Sequence, residues 1–442
     1  MTIIKRKQQS KRLTGGLAIL SLVGLISVFF VGMTASRKGK GSDVSPLIGN
    51  PILDAKSSRE RFYNKSPQKK LQHIRLSEVH LINIDLSSST FADVSGNKSY
   101  NVRGTFCQLD WDQHKSDPSA VPMFKDLIRT SSECKRTTFE YDLWQAVQDA
   151  KEYDSSNGAS THAMSPKGLV FHESRCGSTL VANSLAAFDP DKTRVYSESG
   201  PPIAAAKAYS ISYPSQSLEL IQDVLYMMGR TNNPAEENLF FKIQSIGVKS
   251  MKRFQEAFPD VPFAFVYRDP IQVMMSHLKV WGNGSAVCLR QRRNPPKDTK
   301  DLVQNTAGFK DKKIGKLSTE EFCAAHLATL CRTAIDQIKD SQGKGKLINY
   351  SDLPKVLIDS IIPKHFEVGG LSAESKDNIM KVNEKYSKGR NGGKVWEEDN
   401  TMKEAKAWQE VKDASGKFMK PVYEEMERLR LKEKDPIFPI AR

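Results

Sequence analysis

The chain has 442 residues, 39% of them hydrophobic and 26% charged. This is the composition of an ordinary globular protein, and the length excludes a chain too short to bury a sizeable core. The formal net charge of +15 favours an anionic partner, such as a nucleotide, a polyanion, nucleic acid or a membrane surface, without choosing among them.

The N-terminus contains one long apolar segment. Residues 13–35 carry no charge, and at about 1.5 Å per residue they are long enough to cross a bilayer. Five Lys or Arg residues precede the segment and three follow it closely, which favours a cytoplasmic N-terminus and a lumenal remainder. A cleaved signal peptide ending at Ala35 is the alternative, although signal h-regions run only about 7–15 residues. We therefore predict a cytoplasmic tail (1–12), a transmembrane signal anchor (13–35) and a polar, flexible stem (36–100).

In a lumenal body the six cysteines are candidates for disulfide bonds, because that compartment permits disulfides. Cys107 and Cys134 lie in one segment and are candidates for a pair. Cys323 and Cys331 lie on one predicted helix, separated by a rise of about 12 Å. That distance is too long for a direct bridge, so either could pair with Cys288. The sixth cysteine is expected to stay a thiol, and the alternative for all of them is a role as small buried apolar residues.

Some Asn-x-Ser triplets fit the same compartment as glycosylation sites. They begin at Asn97, Asn283 and Asn349. Such triplets also occur by chance, so they support the lumenal assignment only weakly.

The main domain (161–442), preceded by an ordered N-terminal extension (101–160), alternates short apolar runs with helical patterns. Segments 217–228 and 320–338 have helical apolar spacing. The alternation predicts a mostly parallel sheet covered on both faces, a three-layer αβα architecture whose ligands bind at the carboxyl ends of the strands. The predicted strands are GLVFH (168–172), RVYS (194–197), NLFFKI (238–243), FAFVY (263–267) and KLINY (346–350).

The first strand is followed by a loop suited to an anion. The sequence after residues 168–172 is Glu-Ser-Arg-Cys-Gly-Ser-Thr (173–179), and apolar residues then recur at helical spacing. A helix that begins near Ser178 leaves its first amides free, and these amides and the helix dipole favour an anion. Gly177 permits close approach of the backbone, and Arg175 adds a charge with forked donors.

This loop lacks two parts of a nucleoside triphosphatase loop. His172 stands where the first glycine of that motif would be, and no lysine follows Gly177. The alternative interpretation of the loop is an ordinary serine-capped helix after a strand.

A second candidate element follows strand 263–267. Arg268 is expected at the carboxyl edge of the sheet, and Pro270 suits the first turn of a helix. Ser276 lies eight residues after Arg268, about two helical turns further on. The alternative is that Asp269 is only a helix cap and that Arg268 forms a surface ion pair.

The two elements together carry a family resemblance. SRCGSTL (174–180) resembles the loop with which sulfotransferases bind the 5′-phosphosulfate of 3′-phosphoadenosine 5′-phosphosulfate (PAPS). YRDPIQVMMS (267–276) resembles the 3′-phosphate motif of the same family. The two motifs stand in the order of the family and about the family's distance apart. Looser agreement is seen at Lys242, INYSDL (348–353) and YSKGRNGGKVWEEDN (386–400).

The resemblance covers roughly residues 166–429 and is to the membrane-anchored Golgi-type and bacterial branches. It implies a P-loop NTPase-like sulfotransferase fold, a catalytic domain over 161–442, PAPS as co-substrate and no metal. The late loop only approximates the Arg-Lys-Gly of cytosolic members. The residues that the resemblance assigns to PAPS are Arg175, Cys176, Gly177, Ser178, Thr179, Arg268, Ser276, Lys388 and Arg390.

The resemblance also suggests the catalytic residues. Arg175 and the loop amides would neutralise developing charge. Glu198 follows the strand after the phosphate loop, where Golgi-type members keep a glutamate base, and partial desolvation there would raise its pKa. The alternatives are that Glu198 is an exposed loop residue, or that His172 or His277 is the base.

The resemblance further implies an acceptor, which would be a glycan, a peptide or a small molecule in the Golgi lumen. Segment 286–316 carries nine Lys or Arg and three Asp and could form an anion-binding rim, although charge runs are commonly just solvated. Nucleic acid is not expected on the lumenal side. The alternative functions are a P-loop kinase or nucleotidase, and a non-catalytic Golgi protein that kept the fold.

Overall fold

The computed structural model describes residues 66–94, 97–208, 214–278, 286–385 and 400–434. The predicted cytoplasmic tail and signal anchor, and the stem as far as residue 65, lie outside these ranges. Within the described ranges, no helix combines the length and the apolar character needed to span a bilayer.

A five-stranded parallel sheet carries the main domain. Its strand order is β10-β9-β5-β8-β6, with β5 in the centre. Successive strand residues point to opposite faces, and runs of consecutive residues are buried, so both faces of the sheet are covered. This confirms the predicted parallel sheet. The strands are β5 (Pro166–His172), β6 (Thr193–Ser197), β8 (Asn238–Lys242), β9 (Phe263–Tyr267) and β10 (Gly345–Asn349).

Helices connect and cover these strands. The two predicted helical segments, 217–228 and 320–338, are confirmed. They form the middle of α8 (Pro214–Gly229) and of α12 (Thr319–Asp340). Helix α12 begins with a capping box in which Ser318 and Glu321 satisfy each other's main-chain amides. The helices of the main domain are α6 (Ser178–Ala187), α7 (Gly200–Lys207), α8 (Pro214–Gly229), α9 (Met251–Ala257), α10 (Pro270–Leu278), α11 (Lys297–Asn305), α12 (Thr319–Asp340), α13 (Ala373–Asn383), α14 (Asn400–Ala405), α15 (Gln409–Ala414) and α16 (Lys420–Lys434).

Shorter elements complete this domain. Strands β4 (His162–Ala163) and β7 (Arg230–Thr231) pair antiparallel beside the main sheet. Two segments are π-helical, Leu357–His365 and Ser415–Met419. Short 3₁₀ segments occur at Ser245–Ser250, Val287–Leu289, Ile314–Lys316 and Tyr350–Asp352.

An antiparallel three-stranded sheet precedes the main domain, in the order β1-β2-β3. Its strands are β1 (His80–Val94), β2 (Asn97–Cys107) and β3 (Phe139–Asp142). The helices of this region are α1 (Pro67–Arg75), α2 (Trp111–Ser116), α3 (Phe124–Thr130), α4 (Cys134–Thr137) and α5 (Leu143–Asp154).

This N-terminal sheet corrects the predicted stem. The flexible stem was expected to reach residue 100, but α1 and β1 are ordered elements. The polar composition concealed a short buried stripe, in which Leu81 and Ile84 are 0% and 5% exposed. Helix α1 is also tied to the main domain, because the buried Arg230 guanidinium donates to the main-chain oxygens of Ile74 at 2.5 Å and Arg75 at 2.7 Å.

The cysteines form two disulfides, Cys107–Cys134 and Cys288–Cys323. The first pairing is as predicted, and the structure selects Cys323 over Cys331 for the second. Cys176 and Cys331 remain buried thiols.

One glycosylation prediction is wrong. Asn349 is 4% exposed, and its amide donates to the Tyr423 hydroxyl at 3.1 Å and to Glu427 at 2.8 Å. It is therefore inaccessible to a glycan. Asn283 lies outside the described residues, and the prediction for Asn97 stays untested.

Candidate active site

The candidate site lies along the carboxyl edge of the parallel sheet. Strands β5, β6, β8 and β9 run in one direction, so the residues that follow them meet at one edge. The register places Lys242, the last residue of β8, opposite Ser197 of β6 and Val170 of β5. Five side chains that could carry chemistry converge there from four strands: His172, Glu173, Glu198, Lys242 and Arg268.

The loop after β5 has an unusual main-chain conformation. Ser174, Arg175 and Gly177 have φ angles of 81°, 58° and 88°. The left-handed region costs roughly 1–2 kcal/mol for a non-glycine residue, and such strain clusters at binding sites. Successive main-chain N–H groups in turns of this kind converge on a common point and bind anions. The strained residues mark the predicted phosphate loop as a candidate binding site.

Gly177 is required at the end of this loop for two reasons. Its positive φ is strained for any other residue. A Cβ at this position would also lie 2.3 Å from Cδ2 of Tyr350, the residue after β10. The tyrosine ring therefore packs directly on the loop backbone. Helix α6 begins at the next residue, so its first amides face the same turn.

Cys176 anchors the loop from below. Its thiol donates to the main-chain oxygen of Val266 in β9 at 3.1 Å, and burial raises its pKa to about 12. The side chain of Cys176 therefore belongs to the core. A contact of Cys176 with the predicted co-substrate would be made by its main chain.

Arg268 is held by contacts from three elements. Its main-chain N–H donates to Glu173 Oε1 at 2.7 Å, and its Nε donates to Gln272 Oε1 at 2.6 Å. The guanidinium carbon lies 4.2 Å from the centre of the Tyr350 ring, a cation–π contact. These contacts fix the guanidinium beside the Tyr350 ring, which also packs on Gly177 of the loop. Arg268 is 6% exposed, so it is not the surface residue that the alternative interpretation assumed.

The two elements predicted from separate motifs are in direct contact. Arg175 Nε donates to Ser276 Oγ at 2.9 Å. Asp269 also caps α10, since its carboxylate accepts the Gln272 N–H at 3.1 Å. The capping function and the placement of Arg268 at the sheet edge thus occur together.

Glu198 lies on the other side of the same edge. It follows β6 with a φ of 56°, and its side chain is 31% exposed. Its carboxylate forms an ion pair with the Lys242 ammonium, whose side chain is fully buried. This environment differs from the expected one, in which partial desolvation dominated.

His172 contacts both the loop and Glu198. Its Nδ1 accepts the main-chain N–H of Ser174 at 3.1 Å, so the neutral ring carries its proton on Nε2. That Nε2 lies 3.6 Å from Glu198 Oε1. His277, the other rival base, is a residue of α10 and is 1% exposed.

Two contributors to this site had no predicted role. Glu173 and Tyr350 each contact both phosphate elements. The only signal for them in the sequence was their position, because Glu173 directly follows β5 and Tyr350 directly follows β10. A third residue, Lys242, was noticed in the resemblance without a function.

Three further points concern the late loop, the basic segment and a metal site. Lys388 and Arg390 lie outside the described residues. The basic segment 286–316 contacts α12, because Lys312 pairs with Glu321 at 2.9 Å and Arg292 donates to Thr319 Oγ1 at 3.0 Å. Among the described residues, no group of three His, Cys, Asp or Glu side chains is arranged to hold a metal ion.

The structure is that of an α/β protein in which the two motif-bearing elements adjoin at the carboxyl edge of a parallel sheet. No family model matches the chain, and no curated protein matches it.

Solved structures similar to this chain are sulfotransferases. One is the sulfotransferase domain of the Synechococcus PCC 7002 olefin synthase, with 12% identity, a TM-score of 0.34, and coverage of 58% of this chain and 95% of that one. Another is sulfotransferase STF9 from Mycobacterium avium, with 12% identity, a TM-score of 0.36, and coverage of 91% and 100%. Likenesses this distant assign no function by themselves.

Proposed function

We propose that this protein is a PAPS-dependent sulfotransferase that transfers a sulfuryl group to a hydroxyl or amine of a glycan, a peptide or a small molecule. The observation that carries this proposal is the 2.9 Å hydrogen bond from Arg175 Nε to Ser276 Oγ. It joins two elements that the sequence suggests for opposite ends of one nucleotide. The P-loop-like sulfotransferase fold is part of the same proposal.

The residues fit the two charged ends of PAPS. The left-handed loop, Arg175 and the start of α6 offer amides and a guanidinium to a phosphosulfate. Arg268 and Ser276 offer a guanidinium and a hydroxyl to a 3′-phosphate, the group that distinguishes PAPS from ATP. The lysine that a triphosphatase loop needs is absent from this loop, which favours this ligand over a nucleoside triphosphate.

The protein has to hold donor and acceptor in line, stabilise the charge that develops on the phosphate side, and remove the acceptor's proton. When bound, PAPS supplies a sulfuryl group whose sulfur–oxygen bond to phosphate breaks as a new bond to the acceptor oxygen or nitrogen forms. Arg175 and the loop amides stabilise the charge that accumulates on the phosphate side. The strained loop holds these donors in place before the reaction, so little reorganisation is needed.

Glu198 is the proposed general base. Its pairing with Lys242 and its contact with His172 favour the ionised carboxylate, which can accept the acceptor's proton. Its partial exposure leaves it open to an acceptor. Lys242 orients the carboxylate from a fully buried position, and His172 connects it to the phosphate loop through Ser174.

We further propose a Golgi location, with the catalytic domain lumenal behind an N-terminal signal anchor. The Cys107–Cys134 and Cys288–Cys323 disulfides support an oxidising compartment. Protease treatment of sealed microsomes should leave the catalytic domain intact, and its digestion there would refute this location.

The binding part of the proposal can be tested by thermal melting of the full chain with adenosine 3′,5′-bisphosphate. We expect the bisphosphate to raise the melting temperature of the wild-type protein. The Arg268→Ala variant should lose this shift, because it lacks the guanidinium assigned to the 3′-phosphate. The matched control is Arg136→Ala, which removes an arginine that is 46% exposed and pairs with Glu133. An equal shift in wild type and Arg268→Ala would refute the assigned 3′-phosphate site.

A further inference from the structure

Glu173 is a fully buried carboxyl group beneath the candidate site. It is the first residue after β5 and is 0% exposed. Its Oε1 accepts the main-chain N–H of Arg268 at 2.7 Å, and its Oε2 lies 3.2 Å from the thiol of Cys331 in α12. The first residue of the phosphate loop thus contacts the first residue of the Arg268 element.

We propose that Glu173 is a positioning residue for the 3′-phosphate: it fixes the main chain at Arg268 and so sets the distance between the two anion-binding elements. This inference rests on the proposed function, because it concerns the same co-substrate. Glu173 itself lies below the loop and acts through Arg268.

The environment of Glu173 suits a neutral carboxyl group. Burial raises its pKa to about 8, with a smaller contribution from the nearby Asp269 carboxylate. The groups that face it are an amide N–H, two thiols and the charges of Arg268 and Asp269. One carboxyl oxygen accepts the Arg268 main-chain N–H, and the other accepts the Cys331 thiol at 3.2 Å.

An uncharged carboxyl group at Glu173 has a functional consequence for Arg268. A carboxylate at this position would compete with a phosphate for the positive charge of the guanidinium. A neutral carboxyl group fixes the backbone through a hydrogen bond and adds no negative charge beside the guanidinium. Glutamine, which is neutral and keeps the carbonyl acceptor, should therefore replace Glu173 with little loss. Methionine, which fills a similar volume without an acceptor, should not.

The test compares two ligands of the full chain by calorimetry. Adenosine 3′,5′-bisphosphate carries both phosphates, and adenosine 5′-phosphate lacks the 3′-phosphate. The preference for the bisphosphate, expressed as the ratio of the two dissociation constants, reports on Arg268. We expect Glu173→Met to lower this preference about tenfold, the effect of losing one buried hydrogen bond. Glu173→Gln should keep it within about threefold of wild type.

A matched control removes the other contact of the carboxyl. Cys331→Ala deletes the thiol next to Oε2 and leaves the Arg268 contact in place, so the preference should stay unchanged. Circular dichroism and thermal melting of each variant establish that it is folded. Should Glu173→Met fail to fold, Glu173→Ala takes its place, and Glu173→Gln alone still tests the inference.

The possible results separate the inference from the proposed function. An unchanged preference in Glu173→Met, an equal loss of affinity for both ligands, or a large loss of preference in Glu173→Gln would each overturn the positioning function while leaving the proposed function intact. A wild-type protein that binds neither ligand, or both equally well, would overturn the proposed function and this inference with it.

Discussion

The two halves of the sheet edge hold their charges in different ways. Toward β9 and β10, Arg268 and the neighbouring Arg175, which follows the central strand β5, are positioned by an amide, a hydroxyl, an aromatic ring and a buried carboxyl. On the side of β6 and β8, Glu198 and Lys242 form a direct ion pair. The first arrangement suits cations that bind an anionic ligand. The second suits a carboxylate that must be ionised before it accepts a proton.

This comparison predicts that the two halves can be impaired separately. Substitutions on the β9–β10 side should weaken nucleotide binding. Substitutions on the β6–β8 side should slow turnover and leave nucleotide binding intact.

The largest expected effect is on turnover in Glu198→Gln. The amide cannot accept a proton, so kcat should fall by about 10²–10⁴-fold, the usual contribution of a general base. The dissociation constant for adenosine 3′,5′-bisphosphate should stay within about threefold of wild type. Steady-state kinetics and calorimetry measure the two quantities. The matched control is Glu237→Gln, since that glutamate is 61% exposed and pairs with Lys192; wild-type turnover in Glu198→Gln would remove Glu198 from the base role.

The next effect concerns stability and pH at Glu173. Because burial raises its pKa to about 8 from a model-compound value of 4.5, the folded protein binds a proton more tightly than the unfolded chain. This group's contribution is therefore fully present below about pH 4.5 and is lost as the pH rises to about 8, at no more than roughly 1.4 kcal/mol per pH unit. Glu173→Gln should lack this loss.

Urea unfolding of wild type and Glu173→Gln at several pH values measures the difference in the free energy of unfolding. The gap between the two proteins should widen in favour of the glutamine variant from about pH 5 to pH 8 and then level off. A gap that does not change with pH would show that Glu173 has the same affinity for protons in the folded and unfolded states.

The smallest effect is expected at Tyr350, whose ring lies over the Arg268 guanidinium and against Gly177. Tyr350→Ala should weaken binding of adenosine 3′,5′-bisphosphate by about 3–30-fold, since a cation–π contact is worth about 0.5–2 kcal/mol. Tyr350→Phe keeps the ring and should bind nearly as wild type does. Equal weakening in both variants would assign the effect to the hydroxyl group and not to stacking on Arg268.

The sequence indicated which residues come together around Arg268 better than it did around Glu198, for a physical reason. Arg175, Gly177, Arg268 and Ser276 lie in two contiguous motifs at strand ends, so the rule that ligands bind at carboxyl ends was enough to bring them together. The pairing of Glu198 with Lys242 depends on β6 and β8 being neighbours. Strand order is not encoded in any local pattern.

Burial explains the remaining differences. Cys176 and Asn349 stand in motif-like positions, but the fold places both side chains in the core. Helix α1 and strand β1 were missed because their apolar residues are few and their stability comes from tertiary contacts, such as those of Arg230. Composition averaged over a polar segment cannot detect such contacts.

The most direct test of the central claim is transfer of radiolabelled sulfate from PAPS by the full chain to a panel of glycans, peptides and small alcohols. We predict labelled product with the wild-type protein, and none with Arg268→Ala at a PAPS concentration that saturates the wild type. Binding of adenosine 3′,5′-bisphosphate without transfer to any acceptor would instead support a non-catalytic nucleotide-binding protein. Magnesium-dependent binding of ATP in place of the bisphosphate would contradict the claim outright and favour a P-loop kinase or nucleotidase.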